Sequence, residues 1–223
     1  MALSTSSIAP LLTTSPLSDL YMVSFSGRNV ETVVTREPST VDLWIRNVRS
    51  RQTERLIGLD IEWRPNPNPK IKSNNPAATL QLCARETCLI VQLLYVKEIP
   101  VSLFDFMADP CYTFVGVGVG GDGKKLQKDY GLGVRNVVDL RTLGAMRWGR
   151  KDFERMGLKA LAWEVLKWGM EKPMNVTLSP WDNDSLTYAQ IQYACIDAFV
   201  SFELGRVFNA CGSVPQSKDP SVH

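Results

Sequence analysis

The stretch Leu56-Ile57-Gly58-Leu59-Asp60-Ile61-Glu62-Trp63 decides how this chain reads. It is a short apolar run with β-branched residues, and such runs form strands. On a strand, residues two apart share a face. Asp60 and Glu62 therefore project together from its end, with Gly58 behind them. Ile57, Leu59 and Ile61 turn the other way, into a core. Two adjacent carboxylates are unfavourable once buried unless a positive charge sits between them. A divalent metal bound by oxygen ligands supplies such a charge. Taken alone, Asp-x-Glu is equally what a water-facing edge strand carries, so the rest of the chain has to decide.

Composition narrows the classes. The chain has 223 residues and 44% hydrophobic content, which suits one sizeable domain. Its formal net charge of +2 is near neutral, so an anionic partner must be met by a local patch. Cys83, Cys88, Cys111, Cys195 and Cys211 form no C-x-x-C pair and read as the reduced thiols of an intracellular protein, nuclear or cytoplasmic. The sole histidine is His223. Its position argues against a histidine general base, a Ser-His-Asp triad or a His-ligated zinc inside the fold. No run approaches the length of a membrane span.

The chain is expected to form one domain over 19–212 between two flexible tails, 1–18 and 213–223. The first tail is rich in Ser, Thr and Leu and has no charged residue before Asp19, so it lacks the marks of a secretory or mitochondrial leader. Its composition is also compatible with a plastid transit segment.

In chain order, Tyr21–Phe25 and Val30–Thr35 read as a hairpin around Ser26-Gly27-Arg28-Asn29. Ser39-Thr40-Val41-Asp42 opens a helix through Val48, with Leu43, Trp44 and Val48 as its apolar positions. After the carboxylate strand, Pro65, Pro67 and Pro69 mark an exposed loop. Ala78–Cys83 and Cys88–Leu93 complete an antiparallel meander with the first strand. Val101–Met107 reads as a short helix with Leu103, Phe104 and Met107 on one face. Thr113–Val119 reads as a buried strand that enters a Gly120-Gly121-Asp122-Gly123 turn before another helix, and Val137–Leu140 as a further strand. Residues 141–172 look helical and carry Arg141, Arg147, Arg150, Lys151, Arg155, Lys159, Lys167 and Lys172, the one locally basic region. That region fits a solvated face as well as a binding patch. Thr187 and Gln190 form a T-x-x-Q capping box, with Leu186 and Ile191 placed as a hydrophobic staple. The helix they open is expected to run from about Tyr188 to Ala210, with Gly212 ending it. Tyr193 and Asp197, four apart, share a face of it.

Asp60 and Glu62 on one strand, Asp122 and Asp197 thus stand on three elements that could converge on a metal cluster. Two divalent ions about 3.5–4 Å apart stabilise both the attacking and the leaving oxygen in phosphodiester cleavage. That chemistry needs several carboxylates and no histidine.

Three segments carry a resemblance to a known family. Asp60-x-Glu62, then Val115-Gly116-Val117-Gly118-x-x-x-Asp122-x-x-Lys125-Leu126, then Tyr193-Ala194-x-x-Asp197-Ala198 resemble the three motifs of the DEDDy-type 3′–5′ exonucleases. The likeness is to Werner syndrome-like exonuclease domains and their stand-alone plant relatives, with RNase D more distant. Leu80-Gln81-Leu82-Cys83, Gly157-Leu158-Lys159-x-Leu161 and Ser179-Pro180-Trp181 resemble connectors of the same group, Gly157 standing where the family has serine. The likeness spans about residues 20–211.

It implies an RNase H-like α/β fold: a mixed sheet of three antiparallel strands followed by parallel ones, flanked by helices. It implies two Mg²⁺ or Mn²⁺ ions, with Asp60 bridging both, Glu62 and Asp197 completing the tighter site, and Asp122 holding the second largely through water. Tyr193 would orient the attacking water. The implied activity removes nucleotides from the 3′ end of DNA or RNA as 5′-monophosphates. Ile61, Trp63 and Lys125 are candidate substrate contacts; the first two, beside the acids, could stack on a terminal base, but on the face opposite Asp60 they fit a core position at least as well. Targeting is expected either from a partner, such as a helicase or another targeting protein, or from the enzyme itself, and a homo-oligomer is left open. The competing class is a protein that keeps the fold as a nucleic-acid-binding scaffold with weak or no turnover. Intact ligand positions favour the enzyme.

Overall fold

A computed structural model describes residues 4–15, 17–51, 53–66 and 75–211; side chains 12–14 are outside that description. Eight strands form one sheet in the order β1-β2-β3-β6-β5-β4-β7-β8. They are β1 (Ser6–Ser15), β2 (Ser18–Phe25), β3 (Arg28–Thr35), β4 (Leu56–Glu62), β5 (Thr79–Ala84), β6 (Thr87–Gln92), β7 (Thr113–Gly116) and β8 (Val137–Asp139). The quoted stretch is β4, and it lies inside the sheet, antiparallel to β5 and parallel to β7. β4 is therefore no edge strand, though its acid-bearing end runs past β7, whose pairing stops at Gly58. β5 and β6 are antiparallel, and β7 and β8 are parallel. The β6-β5-β4-β7-β8 portion is the RNase H-like order expected from the resemblance.

The N-terminal hairpin extends this sheet. β3 runs parallel to β6, with Glu31 opposite Thr87 and Thr35 opposite Val91. Ser26 and Gly27 turn between β2 and β3 with φ of 52° and 74°, the left-handed pair that a tight two-residue hairpin requires. The tail expected over residues 1–18 is corrected here. Ser6–Ser15 is an edge strand antiparallel to β2, with register shifts at Pro10/Leu12 and Thr13/Ser15. Alternating small and apolar residues without charge allow that pairing, and Pro10, which has no N–H to give, falls beside an irregularity. The C-terminal tail, His223 and Gly212 lie outside the described residues.

Seven α-helices are described: α1 (Pro38–Arg51), α2 (Val101–Ala108), α3 (Val119–Tyr130), α4 (Leu140–Trp148), α5 (Leu158–Leu161), α6 (Met174–Thr177) and α7 (Tyr188–Val207). They divide between the two faces of the sheet. Ile57, Leu59 and Ile61 pack with Val41, Trp44, Ile45, Val48, Phe106 and Leu126 on the α1/α2/α3 face. Leu56, Cys83 and Val115 pack on the other face with the α7 residues Ala194, Ala198 and Phe202. None of the described helices is long and apolar enough to cross a membrane.

Four expectations shift in detail. On α1 the buried set is Val41, Trp44, Ile45 and Val48, whereas Leu43 is exposed. On α2, Phe106 is fully buried and Phe104 only partly. Residues 141–172 are a broken series: α4, a 3₁₀ turn over Lys151–Arg155, α5, then a π-helical turn over Ala162–Leu166 that Lys167 ends with φ of 60°. α7 ends at Val207, short of Ala210, where Asn209 takes φ of 52°.

α7 is the central helix. Its T-x-x-Q box forms as expected: Gln190 N donates to Thr187 Oγ1 at 3.3 Å and Thr187 N donates to Gln190 Oε1 at 2.9 Å. From Gln190 to Gly205 nearly every residue is buried. Gly58 lets this helix come down onto β4. A Cβ there would stand 2.0 Å from Ala198 O and 2.7 Å from Phe202 N. This crossing sets the distance between the acids of β4 and the acid of α7.

Candidate active site

β4 presents Asp60 and Glu62 to the face covered by α7, and α7 presents Asp197 back to them. One carboxylate oxygen of each lies within 4.8 Å of the other two. Asp197 is 3% exposed. Burial, then the neighbouring charges of Asp197 and Asp122, hold the Asp60 carboxyl well above the usual range. Burial, followed by Asp60 and Asp197, pushes Glu62 up to about 9. Burial raises Asp197 as well, opposed by the Lys172 ammonium and by a hydrogen bond from Tyr193. Like charges are thus pressed together in a poorly solvated place, the condition that a divalent cation relieves. The donors are all hard carboxylate oxygens, so the set fits Mg²⁺ or Mn²⁺ and offers nothing soft for a thiophilic metal.

Asp122 stands near the cluster on a third element, and arrives there by a different route from the one expected. β7 stops at Gly116, and a Cβ on that residue would meet Leu59 O at 2.6 Å. Gly118 then takes φ of 78° and caps α3, so Asp122 stands in the first helical turn rather than in a glycine loop. Asp139 holds the cap by accepting from Gly118 N at 3.0 Å, while Arg141 binds the same carboxylate at 3.0 and 2.7 Å. Asp122 is outside the trio of converging oxygens, but its charge is felt at Asp60 and Glu62. Burial, then Asp139, raises it to about 7.

Tyr193 lies one turn before Asp197 and is 8% exposed. Its ring packs against Trp181 at 5.9 Å, and burial followed by the Asp197 charge holds its phenol above the ordinary value. Gln190 fastens the segment that supports it, donating to Ser179 Oγ at 2.9 Å and to Pro180 O at 3.4 Å.

The candidate substrate contacts divide. Ile61 is 2% exposed in the core beneath the sheet, so its side chain does not reach a base. Trp63 is 40% exposed, with the Lys125 ammonium 5.3 Å from its ring centre. Lys125 is otherwise engaged with Asn75 O at 2.5 Å and Asp129 at 2.9 Å. These contacts tie Lys125 of α3 to Asn75 and Trp63.

A model of the 3′–5′ exonuclease family matches residues 34–209. The chain belongs to that family. Among its relatives, a 3′-5′ exonuclease of Arabidopsis thaliana is 33% identical over 152 residues, 68% of this chain and 52% of the relative. Exonuclease 3′-5′ domain-containing protein 2 of Homo sapiens is 35% identical over 67% of this chain and 24% of its own length. The chain therefore spans about half of the first relative and about a quarter of the second. A crystal structure of the EXD2 exonuclease domain soaked in Mn and Mg covers 82% of this chain and 96% of that one, at 30% identity and a TM-score of 0.47.

Within this exonuclease-family chain, one residue of the cluster was not singled out from sequence. Lys172, between the π-helical turn and α6, sends its ammonium onto Asp197 Oδ2 and lies 5.1 Å from the Tyr193 ring centre. Its only signal in the sequence was membership of the basic region 141–172. Two other members of that region pair away from the cluster: Arg141 with Asp139, and Arg150 with Asp152 and Glu164.

Proposed function

We propose that this chain is a metal-dependent 3′–5′ exonuclease that hydrolyses the terminal phosphodiester bond of a nucleic-acid strand and releases 5′-monophosphates. The convergence of the Asp60, Glu62 and Asp197 oxygens in a buried, charge-strained trio carries this reading. These three residues would hold one divalent ion, and Asp122, reaching in from α3, would share in holding a second. Bound ions supply charge neutralisation at the phosphoryl oxygens and a water acidic enough to attack at neutral pH.

The chain's own groups do the rest. Asp60 and Glu62 keep fixed positions because this part of β4 is paired with β5, Asp60 opposite Gln81 and Glu62 opposite Thr79. Tyr193 keeps its proton, since its phenol titrates above the ordinary value of about 10. It therefore orients the nucleophilic water by hydrogen bonding rather than removing its proton. Trp63, at the exposed end of β4, offers a face for a base. The free thiols fit an intracellular setting. Nucleic acid is the macromolecular partner of this reading, and a helicase or similar protein would bring the strand to it.

The test is a labelled-end assay on matched DNA and RNA strands with Mg²⁺, Mn²⁺ or EDTA. Shortening from the 3′ end with either metal and none in EDTA is expected. Full activity after exhaustive EDTA dialysis would remove the proposal. The alternative of a weakly active, strand-binding relative draws on Lys172, which neutralises Asp197. It predicts strand binding in the same assay without shortening.

A further inference from the structure

Lys172 is held in the cluster by its surroundings and is no wandering surface lysine. On one side, Trp168 stacks on Phe199 with centroids 5.8 Å apart, and Gly169 is bound twice to the N-terminal segment: Ser4 N donates to Gly169 O at 3.2 Å and Gly169 N donates to Ser4 Oγ at 3.1 Å. On the other side, Pro173 caps α6, and its carbonyl accepts from Val176 and Thr177 at 3.0 Å each. The lysine sits between these anchors with its side chain 29% exposed, against 4% for Asp197. Among the described residues whose charges act on Asp60, Glu62 and Asp197, Lys172 is the one of opposite sign.

An ammonium and a divalent ion cannot share the Asp197 oxygens without repulsion. A divalent ion that takes Asp197 Oδ2 therefore competes with Lys172 for it. The four-carbon stem lets the ammonium swing while its backbone stays anchored. A strand whose terminal phosphate lies over the cluster offers an anionic acceptor within that swing.

We propose that Lys172 is an exchangeable counter-ion, holding Asp197 while the site is free of metal and passing to the non-bridging oxygens of the substrate phosphate when metal and strand load, so that the two loadings favour each other. This rests on the nuclease reading above. It adds a cation of the chain to the phosphate-binding side of the site and makes metal affinity dependent on substrate.

Mn²⁺ binding to the full chain, measured by isothermal titration with and without deoxyadenosine 5′-monophosphate, tests it. Without nucleotide, Lys172→Met should bind Mn²⁺ at least about fivefold more tightly than the unmodified chain, the low end of ordinary coupling between sites. In the unmodified chain the nucleotide should tighten Mn²⁺ binding by a similar factor, and Lys172→Met should lose that gain. Lys172→Arg should keep it, since the cation is retained. Lys172→Gln, which keeps a polar head, covers the case in which the Met variant does not fold. Unchanged or weaker Mn²⁺ affinity in both neutral variants overturns the proposal. If the unmodified chain cleaves strands and binds Mn²⁺, that result leaves the nuclease reading standing. If the unmodified chain binds no Mn²⁺, both fall.

Discussion

At the scale of single residues, two groups in the cluster have separable tasks. Asp60 feels Asp197 and Asp122 together, which places it at the centre of the negative charge. Asp60→Ala is expected to abolish cleavage without unfolding the chain. Removing one of several crowded acids relieves repulsion, so the metal-free melting temperature should hold or rise. Residual cleavage at the parent rate in the labelled-end assay would place the chemistry elsewhere. Tyr193 is different, because its ring is packed on Trp181 while its hydroxyl is the part that acts to lower the Asp197 carboxyl. Tyr193→Phe keeps the packing and deletes the hydrogen bond. A loss of about 10²-fold in single-turnover rate is expected, at the low end of the effects of positioned acid–base groups. Mn²⁺ affinity should change little, since the carboxylates remain. A loss of less than about threefold would make Tyr193 a packing residue.

At the scale of elements, the geometry depends on how closely α7 approaches β4. Gly58 has no side chain because Ala198 O occupies the place where a Cβ would go. Gly58→Ala must push backbone against backbone, which a rotamer change cannot relieve. A cost of about 3 kcal/mol is expected, the upper part of the overpacking range. In a domain of this size each ~1 kcal/mol lowers the melting temperature by about 2–4 °C, so a drop near 6–12 °C should appear in a thermal melt. Because the same displacement separates Asp197 from Asp60, Mn²⁺ binding should weaken in the protein that remains folded. A variant that melts within about 2 °C of the parent would show that α7 has slack. The elements themselves were readable wherever periodicity and caps agree: β4 to β6, α7 with its Thr187/Gln190 box, and the hairpin over Ser26-Gly27. Sequence alone failed where non-local packing decides. β1 pairs only because β2 is already in place. Asp122 enters a helix because Gly118 can adopt a left-handed cap that Asp139 then holds. Lys172 reaches Asp197 through a fold-back of a stretch with no periodic pattern. Leu43 was misplaced because its helix has a narrower buried stripe than its apolar content suggests.

At the scale of the whole molecule, the buried acids tie stability to pH and to metal. Glu62 titrates near 9 and Asp122 near 7 in the folded, metal-free chain, both raised first by burial. In an unfolded chain such groups titrate near 4. Between those limits the folded state holds protons that the unfolded chain has released. The stability linked to these groups is therefore fully present below about pH 4 and is lost as pH rises through about 7 and then about 9. Metal acts in the opposite sense, because carboxylate ligands must be deprotonated and binding grows stronger as the protons leave. An ion that binds only the folded state then stabilises by mass action. From pH 5 to pH 9 in EDTA, the melting temperature should fall by at least about 2–4 °C, the equivalent of ~1 kcal/mol in a domain of this size. The gain on adding saturating Mn²⁺ should widen over the same range. Glu62→Gln keeps the side-chain shape and removes its proton exchange, so its metal-free melting temperature should depend less on pH than the parent's. Comparison of the two melting curves isolates Glu62 from every other titrating group. A Glu62→Gln curve that parallels the parent across pH 5 to 9 would mean that Glu62 is ionised in the folded chain before any metal arrives, and that the acid trio is already neutralised by the chain itself.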